Sequence, residues 1–361
     1  MSIADGPDQP LAGLHVVDLG QLIPAPACTI NLAWMGATVT KIEPPGGDPA
    51  RSLYDGRFFE LYNRGKRSVT LDLKDPDGQA SALARCAEAD VVVEGFRPGV
   101  ADRLGVGPKQ VRARQPRVVY CSITGFGSQA GDESPAHDLS FLARSGALGM
   151  PATYRAVGAP PHRPAIPVAD LAGAAVATQA ILAALFARER TGEGRHLEIA
   201  IHEIMLHWMA PRAGGIPGGD PQDDPERYLE PANDLYEAAD GRWLAIAAIE
   251  PRLWGALCAA LTGEADPRPG MASWTWRERR EHAAELAAWL QGVFAGRPRD
   301  EWVELLAKAG VPADPVASPS EAFADPWVEA RGLVQDGWVR PPLPFAGSLP
   351  PAPLLGADND D

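Results

Sequence analysis

The feature that most constrains this chain is a strand–helix–strand alternation in its first 130 residues. Residues 13–42 open with the β-branched run G-L-H-V-V-D-L-G and continue through P-A-P-A-C-T-I-N-L-A-W-M-G-A, which begins with proline and ends with glycine. The next run, T-V-T-K-I-E-P-P, is halted by two prolines. Proline at the start and glycine past the end are the signature of a helix. Two strands joined through a helix within about 30 residues form a βαβ unit, and such a crossover makes the strands parallel. The alternation repeats, with strands predicted at 68–73, 90–96 and 118–126 and an amphipathic helix at 77–89. The pattern predicts an α/β, Rossmann-like parallel sheet, which binds ligands at the carboxyl ends of its strands.

Beyond that sheet, residues 169–190 predict a long apolar helix with Asp170 in its first turn and T-G-E-G at its end. A second helix is expected over 198–209. Residues 211–225, P-R-A-G-G-I-P-G-G-D-P-Q-D-D-P, are too rich in Gly, Pro and Asp for regular structure and read as a linker. A hairpin turning on Asp-Gly is expected over 233–249, followed by helices at 252–262, 276–296 and 298–309. The expected organisation is a large domain over 1–210, a linker over 211–232, a smaller α+β domain over 233–325 and a C-terminal segment, 326–361, returning to the large domain.

Composition bounds the partners. A net charge of −14 argues against nucleic acid and against an anionic membrane as main partners. No run approaches the roughly 18 apolar residues that span a bilayer, and the N-terminus has no basic, then apolar, secretory pattern. Cys28, Cys86, Cys121 and Cys258 are far apart and include no C-x-x-C pair, as expected of buried thiols in a reducing cytoplasm.

Two motifs fail on inspection. G-F-G-S-Q-A at 125–130 fits the dinucleotide fingerprint and follows a strand, but G-D-E-S-P comes next. Without a helix there, the N–H groups that hold a pyrophosphate are missing. The histidines of H-E-I-M-L-H at 202–207 stand five apart, so they leave a common helical face and no zinc site is expected. What remains are His137, Asp170 and Glu250 in loops or at helix starts. Taken singly, each is also compatible with a purely structural role, Asp170 above all as a helix cap.

The chain resembles the class III CoA-transferase family (CaiB/BaiF type), which includes α-methylacyl-CoA racemases and formyl-CoA transferases. The likeness covers about residues 11–345. It is carried by L-A-G-L-H-V-V-D-L, M-G-A-T-V-T-K-I-E-P-P-G-G-D-P, N-R-G-K-R-S-V-T-L-D-L-K, V-V-E-G-F-R-P-G-V-A-D-R-L-G, C-S-I-T-G-F-G, T-G-E-G-R and D-E-W-V-E-L-L-A-K-A-G-V-P-A-D-P-V. The resemblance implies an interlocked homodimer and an acyl-CoA thioester as substrate, with no metal and no cofactor beyond coenzyme A itself. It places the nucleotide against Lys41, Leu71, Asp72, Leu73 and Lys74, then Gly95, Phe96 and Arg97, then Arg103. Ala136 and Asp138 would lie near the thioester.

Asp170 matches an aspartate used by both branches. Three other features favour the racemases. A-H-D-L-S-F resembles their G-H-D segment, whose histidine is an acid–base residue. L-I-P-A-P-A-C resembles their L-A-P-G-P segment, where formyl-CoA transferase has glutamine at the position of Ile23. Y-L-E-P-A-N-D lacks the glycines of that transferase's loop. Two departures are Pro44, where racemases tend to carry a nucleotide-contacting arginine, and Ala136 in place of glycine. The resemblance implies that His137 and Asp170 act as bases on opposite faces of an α-carbon, with Glu250 orienting the histidine and N–H groups near Asp138 facing the enolate oxygen. The alternative is a CoA transferase with Asp170 as nucleophile.

Overall fold

The computed structural model describes residues 9–129, 134–150, 159–211, 229–261, 270–335, 337–343 and 351–357. They fall into two compact units, one from residues 1–147, 163–209 and 340–361, the other from 148–162 and 210–339.

The first unit is built on six parallel strands in the order β3-β2-β1-β4-β5-β6. They are β1 (His15–Asp18), β2 (Thr38–Glu43), β3 (Arg67–Thr70), β4 (Val91–Glu94), β5 (Val119–Thr124) and β6 (His196–Ala200). Val17 pairs with Thr40 on one side and Val92 on the other, so β1 lies at the centre. The three valines of β4 are fully buried, as strands covered on both faces require. The helices are α1 (Pro24–Trp34), α2 (Arg57–Asn63), α3 (Pro76–Glu88), α4 (Val100–Arg103), α5 (Pro108–Arg114), α6 (Asp138–Arg144), α7 (Val168–Thr191) and α8 (Ile201–Met209). Helices α3 and α5 cover one sheet face through Ala82, Cys86 and Val111, against Val92 and Tyr120. Helices α1 and α7 pack on each other, and α7 also packs on β5 and α8.

Three differences from the sequence reading have local causes. Residues 198–200, expected in a helix, extend β6 and pair with Ser122, Ile123 and Thr124 before α8 begins. The chain enters β6 through Gly194, where a Cβ would stand 2.0 Å from the Val118 carbonyl oxygen, so only glycine lets this turn approach β5. Strand β3 stops at Thr70, although the Leu71 N–H still donates to the Glu43 carbonyl. Finally, α7 is 24 residues long and apolar enough to pass as a membrane span, contrary to the expectation that no run approaches that limit. It is a core helix here: Ala172, Ala177 and Ile181 are buried, and Arg188 pairs with Asp90 at 3.0 Å.

The second unit carries the antiparallel strands β7 (Leu235–Glu237), β8 (Trp243–Ile246) and β9 (Ala313–Pro315). The predicted hairpin is β7–β8, and Gly241 takes φ +74° in its turn. The helices are α9 (Pro251–Ala260), α10 (Trp276–Glu281), α11 (Ala283–Phe294), α12 (Arg299–Lys308), α13 (Pro319–Phe323) and α14 (Pro326–Ala330); β10 (Val334–Gln335) and β11 (Trp338–Val339) follow. The single helix expected over 276–296 breaks at His282 (φ −118°, ψ 21°), whose ring packs on Trp274 with centroids 4.9 Å apart. Trp254 and Trp302 are fully buried and donate their indole N–H groups to Met271 and Phe294 carbonyls, so these two tryptophans serve the core.

The expected linker lies mostly outside the described residues. Residues 210–339 group with the second unit, and the segment from 340 onward, rather than from 326, with the first. Ala352 N–H donates to Glu60, Gly356 N–H to Ser68, and the Pro353 carbonyl accepts from Arg51.

Candidate active site

In the first unit, the turns leaving β1, β4 and β5 meet the starts of α6 and α7 around a cavity of about 380 Å³. This is the carboxyl end of the sheet, where open α/β folds bind ligands. The cavity is lined on its apolar side by Leu22, Phe96, Ile123, Phe126 and Phe141. His137 and Asp170 both line it.

Each of these two side chains is placed by a helix start. His137 is the N-cap of α6 (φ −135°, ψ 174°). Its carbonyl accepts the Ser140 N–H at 2.7 Å, and its own N–H donates to Ser140 Oγ at 3.3 Å. The backbone is therefore pinned while the exposed imidazole remains available to the cavity. Asp170 sits in the first turn of α7 and is only 8% exposed. Burial, reinforced by the neighbouring Asp138 charge, pushes its carboxyl up to about 7.

Asp138 ties the two elements together. Its Oδ1 accepts the Ala169 N–H at 2.7 Å and the Asp170 N–H at 3.1 Å. The first residue of α6 thus caps α7, whose own N-cap, Pro167, supplies no side-chain oxygen. Its carboxylate is thereby committed to the helix N–H groups that lead into Asp170, while the residue itself directly follows His137. Tyr62 was missed by sequence reading. Burial raises its phenol, and the nearby Asp170 charge adds to the shift.

The other candidates divide. Gly95, Phe96, Arg97 and Ala136 line the cavity. Leu71, Asp72, Leu73 and Lys74 follow β3: Leu71 and Leu73 pack on the α3–α5 core, and exposed Asp72 accepts the Lys74 N–H at 2.9 Å. Arg103 is exposed at the end of α4. Neither that segment nor Arg103 borders this cavity. Lys41 requires a correction. Its side chain is 0% exposed and its ammonium is spent on the Gly20 carbonyl at 2.7 Å and Asp48 at 3.0 Å, so it is an interior cation that cannot reach a nucleotide. Glu250 belongs to the second unit, where it is the exposed N-cap of α9.

A second cavity of about 370 Å³ shares Phe96, Arg97, Pro98 and Thr124 with the first but lies towards α5. There Glu94 accepts the Phe96 N–H at 2.7 Å, and Ser122 Oγ stands 3.0 Å from His196 Nε2. Burial raises Glu94 to about 7 against the opposing hydrogen bonds from Ser122 and Phe96. This group braces the 95–97 turn from behind.

Residues 11–352 match CoA-transferase family III. The chain belongs to that family. Among its family III relatives, acetyl-CoA:oxalate CoA-transferase of Acetobacter aceti is 34% identical over 93% of this chain and 88% of its own. The human α-methylacyl-CoA racemase is 32% identical over 96% of this chain and 89% of its own. The crystal structure of Rv3272 from Mycobacterium tuberculosis superposes with a TM-score of 0.84 at 29% identity and covers 99% of both chains. Family III thus contains relatives named for both reactions at nearly equal similarity, and overall identity does not separate them.

Chemically, the cavity offers an imidazole, a carboxyl that exchanges its proton near neutrality, and apolar walls. No group of three His, Cys, Asp or Glu side chains able to hold a metal occurs among the described residues.

Proposed function

We propose that this family III enzyme inverts the α-carbon of 2-methylacyl-CoA thioesters by 1,1-proton transfer. The observation that carries this reading is that His137 and Asp170 line one cavity while Asp170 is held at about 7. A thioester acidifies its α-hydrogen. Inversion needs a base on one face and an acid on the other, with the roles reversed for the opposite enantiomer. A carboxyl near 7 is populated in both forms at neutral pH, as such alternation requires. In one direction His137 takes the α-proton, electrons move onto the thioester oxygen, and protonated Asp170 returns a proton to the other face. The Ser140 N–H and the first N–H groups of α7 are engaged by His137 and Asp138. The earlier N–H groups of α6 are therefore the proposed partners of the enolate oxygen. The acyl group would lie among Leu22, Phe126 and Phe141, with Arg97 towards the phosphate-bearing end.

A second reading is supported by the similarity to acetyl-CoA:oxalate CoA-transferase: Asp170 attacks the thioester and expels the CoA thiolate, and the thiolate attacks the aspartyl carbonyl of the mixed anhydride and releases the first acid. The acceptor carboxylate then takes CoA from the aspartyl thioester by the same two steps in reverse, freeing Asp170. Incubation with a 2-methylacyl-CoA in deuterium oxide separates the two. Deuterium at the α-carbon, lost in His137→Ala, supports inversion; exchange of acyl groups with a free carboxylic acid and no deuterium uptake supports transfer. A homodimer is part of the proposal, and sedimentation at the mass of one chain refutes it.

A further inference from the structure

The turn after β1, which walls the cavity through Gly20, Gln21 and Leu22, is held from beneath by charges without access to solvent. The side chains of Asp18, Lys41, Asp48 and Lys66 are all 0% exposed. Lys66 Nζ lies 2.9 Å from Asp18, and Lys41 Nζ lies 3.0 Å from Asp48. Lys66 spends its other bonds on the Pro26 carbonyl and Asn63, whereas Asp18, Lys41 and Asp48 also reach the turn. Asp18 Oδ1 accepts the Gly20 N–H at 2.8 Å, Lys41 Nζ donates to the Gly20 carbonyl at 2.7 Å, and Asp48 Oδ1 accepts the Leu22 N–H at 3.1 Å.

The turn so held is strained. Leu22 has φ +59°, a left-handed backbone that a branched side chain adopts only when its surroundings impose it. Gly20 has no room for a Cβ, which would stand 2.2 Å from that of Ala25. A buried ion network is weak evidence for stability, because an apolar core of equal volume serves as well. It does fix conformation, and here the three hydrogen bonds just named end on buried charges.

We propose that Asp18, Lys41 and Asp48 are positioning residues that lock the 20–22 turn, with left-handed Leu22, into the wall that sets the thioester α-carbon between His137 and Asp170. This rests on the reading of the cavity as the acyl-CoA site.

Asp48→Asn tests it. Asp48 Oδ1 also accepts the Ala50 N–H at 2.9 Å, so the amide has one oxygen for two places. With its nitrogen towards the turn it loses the Leu22 N–H, and with its nitrogen towards Lys41 it loses the ammonium that holds the Gly20 carbonyl. The excess positive charge is relieved by Lys66, which burial has already lowered to about 8. Hydrogen exchange should quicken at residues 19–23 and stay unchanged in β4 and β5. The turnover of α-deuterium exchange should fall by about a hundredfold, as for an ångström-scale misplacement, with KM nearly constant. In a Leu22→Gly background, where the left-handed backbone is free of strain, the same substitution should cost less than about threefold. Lys41→Gln supplies the same comparison should Asp48→Asn not fold. Unchanged exchange at 19–23, or an equal loss in both backgrounds, overturns the proposal. If the wild type binds the thioester but only transfers acyl groups, the inversion reading fails by itself, and the two backgrounds are compared on the transfer rate.

Discussion

Replacing Asp170 with asparagine should stabilise the fold at high pH and leave it nearly unchanged at low pH. In the unfolded chain the carboxyl titrates near its ordinary 3.8, and in the folded protein near about 7. The folded state therefore holds its proton more tightly. The sign follows from proton counting: below 3.8 both states are protonated and the site costs nothing, while between 3.8 and about 7 the unfolded state releases a proton that the native state retains. Stability falls as pH rises through this window and levels off above it. At 1.36 kcal/mol for each tenfold change, the full gap corresponds to about 4 kcal/mol. Relaxation of the site makes about 2 kcal/mol a sound lower expectation. Urea unfolding of wild type and Asp170→Asn at several values between pH 4 and 9 measures it, provided the slopes agree. Only the difference between the two proteins matters, because other titrations cancel. A difference that stays flat across this range would show that Asp170 ionises as freely as an exposed aspartate. The two-base chemistry would then lose its acid.

Three further outcomes follow from the geometry. Asp138→Asn keeps an acceptor for the α7 N–H groups but removes the neighbouring charge, so the pH window of the Asp170 effect should move down, read by the same unfolding series. Gly78→Ala should disturb the 71–74 segment, because a Cβ there meets the Asp72 carbonyl oxygen at 2.1 Å; acyl-CoA affinity by calorimetry should weaken if that segment contacts the nucleotide, and stay constant if it does not. Lys41→Met leaves Asp48 buried without its partner and should cost about 3–5 kcal/mol in chemical unfolding.

Much of the sheet was legible because its strands are short β-branched runs set off by proline and glycine. The β1–α1–β2 unit lies within about two residues of its predicted bounds for that reason. Strand β6 was not legible. H-L-E-I-A alternates as an edge strand but runs straight into an apolar helical stretch, and only tertiary pairing with β5 decides where one ends. In the site, His137 and Asp170 were legible as residue types at helix starts. The roles of Lys41 and Asp138 were not, since a lysine in a motif looks the same whether its ammonium meets solvent or a buried carboxylate. Whether a side chain caps its own helix or the next depends on distances across 31 residues of chain. Tyr62 carried no local signal, because what marks it is proximity to Asp170 through the fold.

The raised Asp170 carboxyl alone does not favour inversion over transfer, since at neutral pH it supplies both the ionised form a nucleophile needs and the protonated form an acid needs. The distinguishing arrangement is the one built by Asp138. A carboxylate placed only to raise Asp170 could come from any neighbouring element. This one is the residue next to His137, and it grips the two N–H groups at the start of the helix that carries Asp170. Any shift of α6 against α7 would break those hydrogen bonds before it separated the imidazole from the carboxyl. Transfer through an acyl-aspartate has no use for a fixed distance to an imidazole, whereas proton exchange across one carbon depends on it. Lengthening the α6–α7 spacing should accordingly harm α-deuterium exchange far more than any acyl transfer. Asp138→Ala removes both the clamp and the charge that raises Asp170, and Asp138→Asn, which removes the charge but keeps an acceptor, isolates the clamp by comparison.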